Sequence, residues 1–286
     1  MCPISDYPFE SLFQHVSGYS LHYIDVGDSN GRPVLFLHGV PTWSFTFRKI
    51  IPLVAEAGYR VIAPDLPGFG LSRNKLPPEA FSLSWLTQLI AGFMDECRIS
   101  KPVLVAHDWG GVIGLMLASS QTNLFSGLIL CNSLLPLPGM KAPFLFKLWR
   151  SFARFSPVLP VGMIVNVACE RSLTRKERRG YTYPFRMGQN KRAIRKMPRL
   201  IPFREGQQGY ADVVKAWDGL SNYQKAVLTL FSDRDPITRG GERIIQERIP
   251  GARNQAHKVL KGGHFIQEDA PEEIANSILA FMRAQA

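Results

Sequence analysis

The chain of 286 residues is predicted to be an α/β protein, a mostly parallel eight-stranded sheet flanked by helices, with a helical cap inserted after the sixth strand. Three observations carry this expectation. Short, wholly apolar runs of the kind found in strands buried on both faces alternate with stretches of helical spacing. The alternation stops between about residues 133 and 209, where Pro, Arg and aromatic side chains accumulate without a buried-strand run. Around residue 108 a Val/Leu run ends abruptly and a helix-compatible run begins, with only the pattern small-x-Asp-x-Gly between them.

The elements follow in order. Segments 13–16 and 21–25 read as a hairpin around Ser17-Gly18-Tyr19. Strands are expected at 33–37, 59–63, 103–107 and 127–131, then at 226–231 and 258–260. Helices are expected at 45–57, stopped by Gly58, and at 83–97, where Leu86, Leu89, Ile90 and Phe93 keep helical spacing. Others are expected at 112–120, near 242–247, and at 271–284. The division is therefore a core of residues 1–132 and 210–286 and a helical cap of residues 133–209.

Length and composition bound the function. The chain is near the upper size for a single hydrophobic core, and 45% hydrophobic residues is ordinary for a soluble globular protein. Cys2, Cys97, Cys131 and Cys169 form no CxxC pair and read as free thiols of a reducing compartment, the cytoplasm. No zinc-binding pattern is present, no apolar run is long enough to span a membrane, and the N-terminus carries no signal-peptide pattern. Residues 171–204 hold twelve Lys or Arg and one acid, Glu177, which equals the whole formal excess of +11. The block reads as a solvated outer face of the cap; without an RNA-recognition motif or aromatic interleaving, no nucleic-acid partner is expected.

The turn at Ala106-His-Asp-Trp-Gly110 has the layout of a nucleophile elbow, in which a sharp strand-to-helix turn pushes one side chain out. Serine usually holds that position, and here it is Asp108. A serine attacking an alkyl carbon gives an ether, a dead end. A carboxylate gives an ester, which water can cleave. Asp108 therefore points to displacement at saturated carbon followed by hydrolysis.

Three more segments complete a constellation. His264 lies in Gly262-Gly-His-Phe265 after the last strand, and Asp235 in Phe231-Ser-Asp-Arg-Asp-Pro236 after the preceding one, with Asp233 its rival. Nucleophile, acid and histidine in that order, at strand C-termini, match α/β-hydrolases. His38-Gly-Val-Pro41 follows a strand and offers the backbone N–H of Val40 to an oxyanion hole, with that of Trp109 as its partner. Taken singly, Asp108 also suits a helix N-cap, Asp235 a turn and His264 a surface turn. His38 is expected to buttress its loop, and His107 to point away from the pocket. Jointly, at successive strand ends, the pieces favour catalysis.

The segments His38-Gly-Val-Pro-Thr-Trp-Ser44, Ala106-His-Asp-Trp-Gly-Gly111, Phe231-Ser-Asp-Arg-Asp-Pro-Ile-Thr238 and Gly262-Gly-His-Phe-Ile-Gln-Glu268 resemble haloalkane dehalogenases, from about residue 10 to the C-terminus. The resemblance implies hydrolysis of a small apolar halogenated substrate to alcohol and halide through an Asp108 ester, with no metal or organic cofactor. It implies two N–H donors for the departing halide, Trp109 and a cap tryptophan. Phe146-Lys-Leu-Trp149 is similar to the family's Phe-x-x-Trp segment, and Val40 has no side-chain donor, so Trp149 is the expected partner. Phe146, Val112 and Phe265 are the expected pocket residues. An epoxide hydrolase would use the same triad but needs acidic hydroxyls, for which Tyr181 and Tyr183 are the candidates. A haloacid dehalogenase would want arginine where Trp109 and Val112 stand. A third alternative is an anionic-surface binding protein with a retired site. No membrane insertion is expected, and the oligomeric state is not legible.

Overall fold

Apolar segments of five or six residues account for the centre of the molecule. The computed structural model describes residues 4, 6–73, 81–186 and 191–285. Its strands are β1 (Leu12–Val16), β2 (Tyr19–Gly27), β3 (Pro33–Leu37), β4 (Arg60–Pro64), β5 (Val103–His107), β6 (Gly127–Cys131), β7 (Val227–Ser232) and β8 (Lys258–Leu260). They form one sheet in the order β1-β2-β4-β3-β5-β6-β7-β8. The β1–β2 and β2–β4 pairs are antiparallel, and every later pair is parallel. All residues of β5, β6 and β7 are buried, as expected of strands covered on both faces.

The helices are α1 (Ile51–Glu56), α2 (Leu83–Glu96), α3 (Trp109–Ser120), α4 (Phe144–Phe155), α5 (Val161–Val167), α6 (Arg175–Arg186), α7 (Arg192–Lys196), α8 (Tyr210–Leu220), α9 (Gly241–Arg248), α10 (Ile266–Asp269) and α11 (Pro271–Ala284). The buried face of α2 carries Leu86, Leu89, Ile90 and Phe93, and Ser82 caps it by accepting from the Trp85 N–H at 3.1 Å. Helices α4 to α7 lie between β6 and β7, where the strand–helix alternation breaks.

Two elements depart from the sequence expectation. The single helix expected over 45–57 is a 3-10 turn (Ser44–Phe47) followed by α1. Pro52 cannot donate to the preceding turn, so it fits in the first turn of a new helix, where no partner is needed. Helix α8 is absent from the sequence expectation, although Val213, Ala216, Trp217 and Leu220 carry helical spacing and are its buried face. It packs on α3 and sends the Trp217 indole N–H to the Pro136 carbonyl at 3.0 Å.

Candidate active site

The C-terminal ends of β3, β5, β7 and β8 converge on one point. Leu37 of β3 pairs with Ala106 of β5, so the loop after β3 lies beside the turn after β5. Asp108 occupies that turn with φ +48° and ψ −115°, a backbone conformation that a side chain rarely adopts. Strain of this kind costs about 1–3 kcal/mol and persists only where the surroundings fix it. A Cβ on Gly110 would lie 2.1 Å from the Leu37 carbonyl oxygen, and one on Gly39 would lie 2.6 Å from the Asp108 Cβ. Only glycines admit this approach of loop, strand and helix. The Ser133 hydroxyl donates to the Asp108 carbonyl at 2.6 Å.

The Asp108 side chain is 18% exposed, toward a cavity of about 200 Å³. Its two oxygens are in different environments. Oδ2 accepts from the Val40 backbone N–H at 2.9 Å, and the Trp109 backbone N–H also faces the carboxylate. Oδ1 points toward His264 Nε2 at 3.9 Å, too far for a hydrogen bond. Burial raises the Asp108 pKa, and the His264 charge and the two N–H groups counter it only in part.

His264 Nδ1 lies 3.0 Å from Asp235 Oδ2. Asp235 is fully buried and also accepts from the Ile237 N–H at 2.8 Å and from the Thr238 hydroxyl. Burial would lift the Asp235 carboxyl, but the His264 charge and these donors hold it down to about 2. Burial would depress His264, but the charges of Asp235 and Asp108 outweigh it and push the ring up to about 9. Asp235, and not the exposed Asp233, is thus the partner of the histidine. Asp233 instead accepts from the Gly262 N–H at 3.0 Å and tightens the histidine turn.

Three buried residues support this geometry. His107 sends its ring to the His264 carbonyl, 2.9 Å from Nε2, and burial first, then the neighbouring His264, lower its pKa to about 3. It stays neutral and acts as a buttress behind the site. His38 accepts the Leu66 N–H at Nε2 and donates from Nδ1 to the Gly39 carbonyl, bracing the loop that carries Val40. Asn132, which the sequence reading missed, donates from Nδ2 to the carbonyls of Gly263 at 3.0 Å and His264 at 2.9 Å. Its φ of +40° at the end of β6 has no counterpart in the sequence that would single it out.

The cavity is mainly apolar. Trp109, Val112, Phe146, Ile201 and Phe203 line it beside Asp108. Phe146 and Phe203 meet with ring centroids 5.5 Å apart. Ile201 and Phe203 carry no motif and were missed. Phe265, expected in the pocket, does not line it; its ring packs 5.0 Å from the His264 ring and 5.5 Å from that of His107. The backbone turn that aims His264 forward sends the next side chain behind it. Trp149 is half-buried, its ring 6.2 Å from that of Phe152, and it is absent from the cavity lining. Tyr181 and Tyr183 do not line the cavity either. The buried Tyr181 hydroxyl donates to Glu268 Oε1 at 2.6 Å, away from Asp108.

Behind the histidine turn lies a buried ion cluster. Glu268 and Glu177 are shared by Arg48, Lys49 and Arg171, joining the core to α6. Arg171 and Glu177 therefore depart from the solvated face expected of residues 171–204. The segment before α6 is sewn to the histidine turn as well: the His264 N–H donates to the Ala168 carbonyl at 2.7 Å, and the backbone N–H groups of Glu170 and Arg171 donate to the Asp269 carboxylate. Burial would raise the Glu268 carboxyl, but Arg48 and Lys49 hold it below its ordinary value of 4.5. Its stabilising contribution is present above that value and lost as pH falls through the lower folded one. Glu268→Ala leaves the Arg48 guanidinium buried with half its partners, and an expected loss of about 3–5 kcal/mol is read from urea unfolding.

Comparison with known proteins agrees with this geometry. The family described as alpha/beta hydrolase fold matches residues 32–271. A haloalkane dehalogenase of Mycobacterium marinum is 36% identical over 282 residues, 96% of this chain and 94% of that protein. One from Psychrobacter cryohalolentis is 34% identical over 285 residues, 98% and 94% of the two chains. Among solved structures, a tetrameric haloalkane dehalogenase from Paraglaciecola agarilytica NO2 superposes with a TM-score of 0.88 at 26% identity, covering 98% of this chain and 95% of that one. With an aspartate at the elbow, a histidine–aspartate pair facing it and relatives that match it nearly end to end, this chain belongs to the haloalkane dehalogenases.

Proposed function

We propose that Asp108, His264 and Asp235 carry the hydrolysis of haloalkanes to alcohol and halide, in a core of residues 1–132 and 210–286 under a cap of residues 133–209. The observation that carries the residue assignment is the unequal environment of the Asp108 oxygens. Oδ1 attacks the carbon bearing the halogen, and the carbon–halogen bond breaks with its electron pair leaving on the halide. The ester then has Oδ1 as its alkyl oxygen and Oδ2 as its carbonyl oxygen. Oδ2 already lies 2.9 Å from the Val40 N–H, so the donors for the tetrahedral oxyanion are in place before the second step. His264 takes a proton from water as the water oxygen attacks the Asp108 carbonyl carbon. The bond from that carbon to Oδ1 then breaks, and Oδ1 leaves in the alcohol with a proton returned by His264. The water oxygen takes its place in the carboxyl group, and one proton is released as Asp108 ionises again. A single turnover in oxygen-18 water is therefore expected to label the Asp108 carboxylate and not the alcohol. Label in the alcohol instead would mean direct attack by water and would remove Asp108 as nucleophile.

Esterification also sets the base. The Asp108 charge is one of the causes that hold His264 up at about 9, and the neutral ester removes it. The ring then loses its proton more easily, at the step that needs a neutral imidazole. Ester hydrolysis is expected to rise with pH as His264 deprotonates and then level off, measured by rapid quench of preformed ester. A flat profile from mild acid to alkali would exclude His264 as the base.

The halide leaves toward Trp109, which lines the cavity one residue after the nucleophile. Trp149 is the proposed second donor. It sits three residues after the cavity-lining Phe146, on the same face of α4, though its own ring does not line the cavity. Trp109→Phe and Trp149→Phe are each expected to slow carbon–halogen cleavage by about one to two decades and weaken halide quenching of tryptophan fluorescence. Unchanged quenching and cleavage in Trp149→Phe would leave Trp109 as the single indole donor. The protein is assigned to the reducing cytoplasm, a reading supported by Cys97, Cys131 and Cys169, which are unpaired; Cys2 lies outside the described residues.

A further inference from the structure

The outer face of the cap carries side chains that the reaction does not use. Of the eleven large hydrophobic residues exposed among the described residues, eight fall between 144 and 167. Phe144, Leu148 and Phe155 repeat at helical spacing on one face of α4 and are 77%, 57% and 70% exposed. Val158 follows in the loop at 62%, and on α5, the next helix in the chain, Met163 and Val167 are 49% and 75% exposed. Soluble monomers rarely leave so many large apolar groups together, and such patches mark interaction surfaces.

The apolar patch runs into a groove of opposite character. Met163 and Pro160 line it on one side, and Arg175, Arg178, Arg179 and Arg186 on the other. Arg175, Arg179 and Arg186 are exposed. On α4 itself Lys147 and Arg154 are exposed, the Arg154 guanidinium lying 4.7 Å over the Phe155 ring. Exposed aromatic and aliphatic groups rimmed by guanidinium groups complement one kind of partner, an anionic lipid surface.

We propose that this cap face docks peripherally on anionic phospholipid bilayers, the apolar side chains entering the headgroup boundary and the arginines meeting lipid phosphates. No described helix is long and apolar enough to cross a membrane, so the contact is superficial. A second copy of the chain fits less well, because a two-fold contact would bring the two arginine rims together. A nucleic acid would leave the apolar groups without use, since such interfaces are polar and positively charged. Docking would also suit the reaction, on the haloalkane reading, because Pro143 and Phe146 at the start of α4 line the cavity and an apolar substrate concentrates in lipid.

The test is flotation of the full chain with vesicles of phosphatidylcholine, with and without phosphatidylglycerol, at low and high salt. Binding is expected only with phosphatidylglycerol and is weakened by salt. Each lost cation near a lipid surface weakens binding about fivefold, so Arg175→Gln, Arg179→Gln and Arg186→Gln together are expected to weaken it about 100-fold. Leu148→Ser with Phe155→Ser is expected to weaken it about tenfold or more. Neutralising Arg243, Arg248 and Arg253, which are exposed on the core, or changing Phe13 to Ser is expected to alter it no more than a few-fold. Turnover of a water-soluble haloalkane is expected to stay within a few-fold in every variant, which verifies the fold. The proposal is overturned by absence of binding at low salt, by equal loss from the core and cap charge variants, or by normal binding of the apolar double variant. A wild-type oligomer in gel filtration that this double variant dissociates would also overturn it, since a second copy would then cover the face.

Discussion

Asp108→Ala is expected to abolish halide release, with turnover lower by about four to six decades. No neighbour can replace the lost oxygen. Asp235 is fully buried against His264 and Thr238, and its carboxylate is absent from the cavity lining. The fold should not suffer. The carboxylate is held where burial opposes its ionisation, and removing it relieves that cost. Alanine keeps the unfavourable φ of +48° but adds nothing to it. Urea unfolding is therefore expected to give a stability within about 1 kcal/mol of the parent, or above it. A stably folded variant with appreciable turnover, once contaminating enzyme is removed, would sink the assignment.

The grouping of Asp108, His264 and Asp235 was legible in the sequence because each sits in a local pattern with a local cause. Asp108 lies between an apolar strand and a helix, with small residues where the chain has no room for a Cβ. His264 follows two glycines, and Asp235 opens a turn before Pro236. The buried strands were legible for a similar reason, since β5, β6 and β7 are covered on both faces and read as unbroken apolar runs. What acts across the fold was not legible. Asn132 and Glu268 are ordinary polar residues until β6 is laid beside β7 and α6 is laid on the histidine turn. The cap was harder still. Helix α4 has apolar or aromatic residues around much of its circumference, so spacing alone does not say that Phe146 faces the cavity while Phe144 and Leu148 face out. Phe203 and Ile201, which complete the cavity, lie in an irregular stretch where no period exists to be read. Pro52 is a different case: its effect on the 45–57 segment follows from its missing N–H and was open to reading at the outset.

His264→Gln should separate the two halves of the reaction. The first half needs only the Asp108 carboxylate, so the alkyl ester is expected to form at near the parent rate at neutral pH. The second half loses its base, and ester hydrolysis is expected to slow by about two to four decades or more. Intact-protein mass spectrometry would then show one alkyl group retained on the chain, and peptide mapping would place it on Asp108. The variant has a further signature in its pH dependence. Burial already raises the Asp108 pKa, and the His264 charge is the first influence that lowers it. Glutamine carries no charge, so the Asp108 pKa should rise further, and alkylation should fall off in mild acid at a higher pH than in the parent. A His264→Gln chain that stays unmodified after long exposure to a good substrate at alkaline pH would contradict the ester scheme. One that is alkylated with the parent's pH dependence would show that His264 exerts no charge on Asp108 across the 3.9 Å between them.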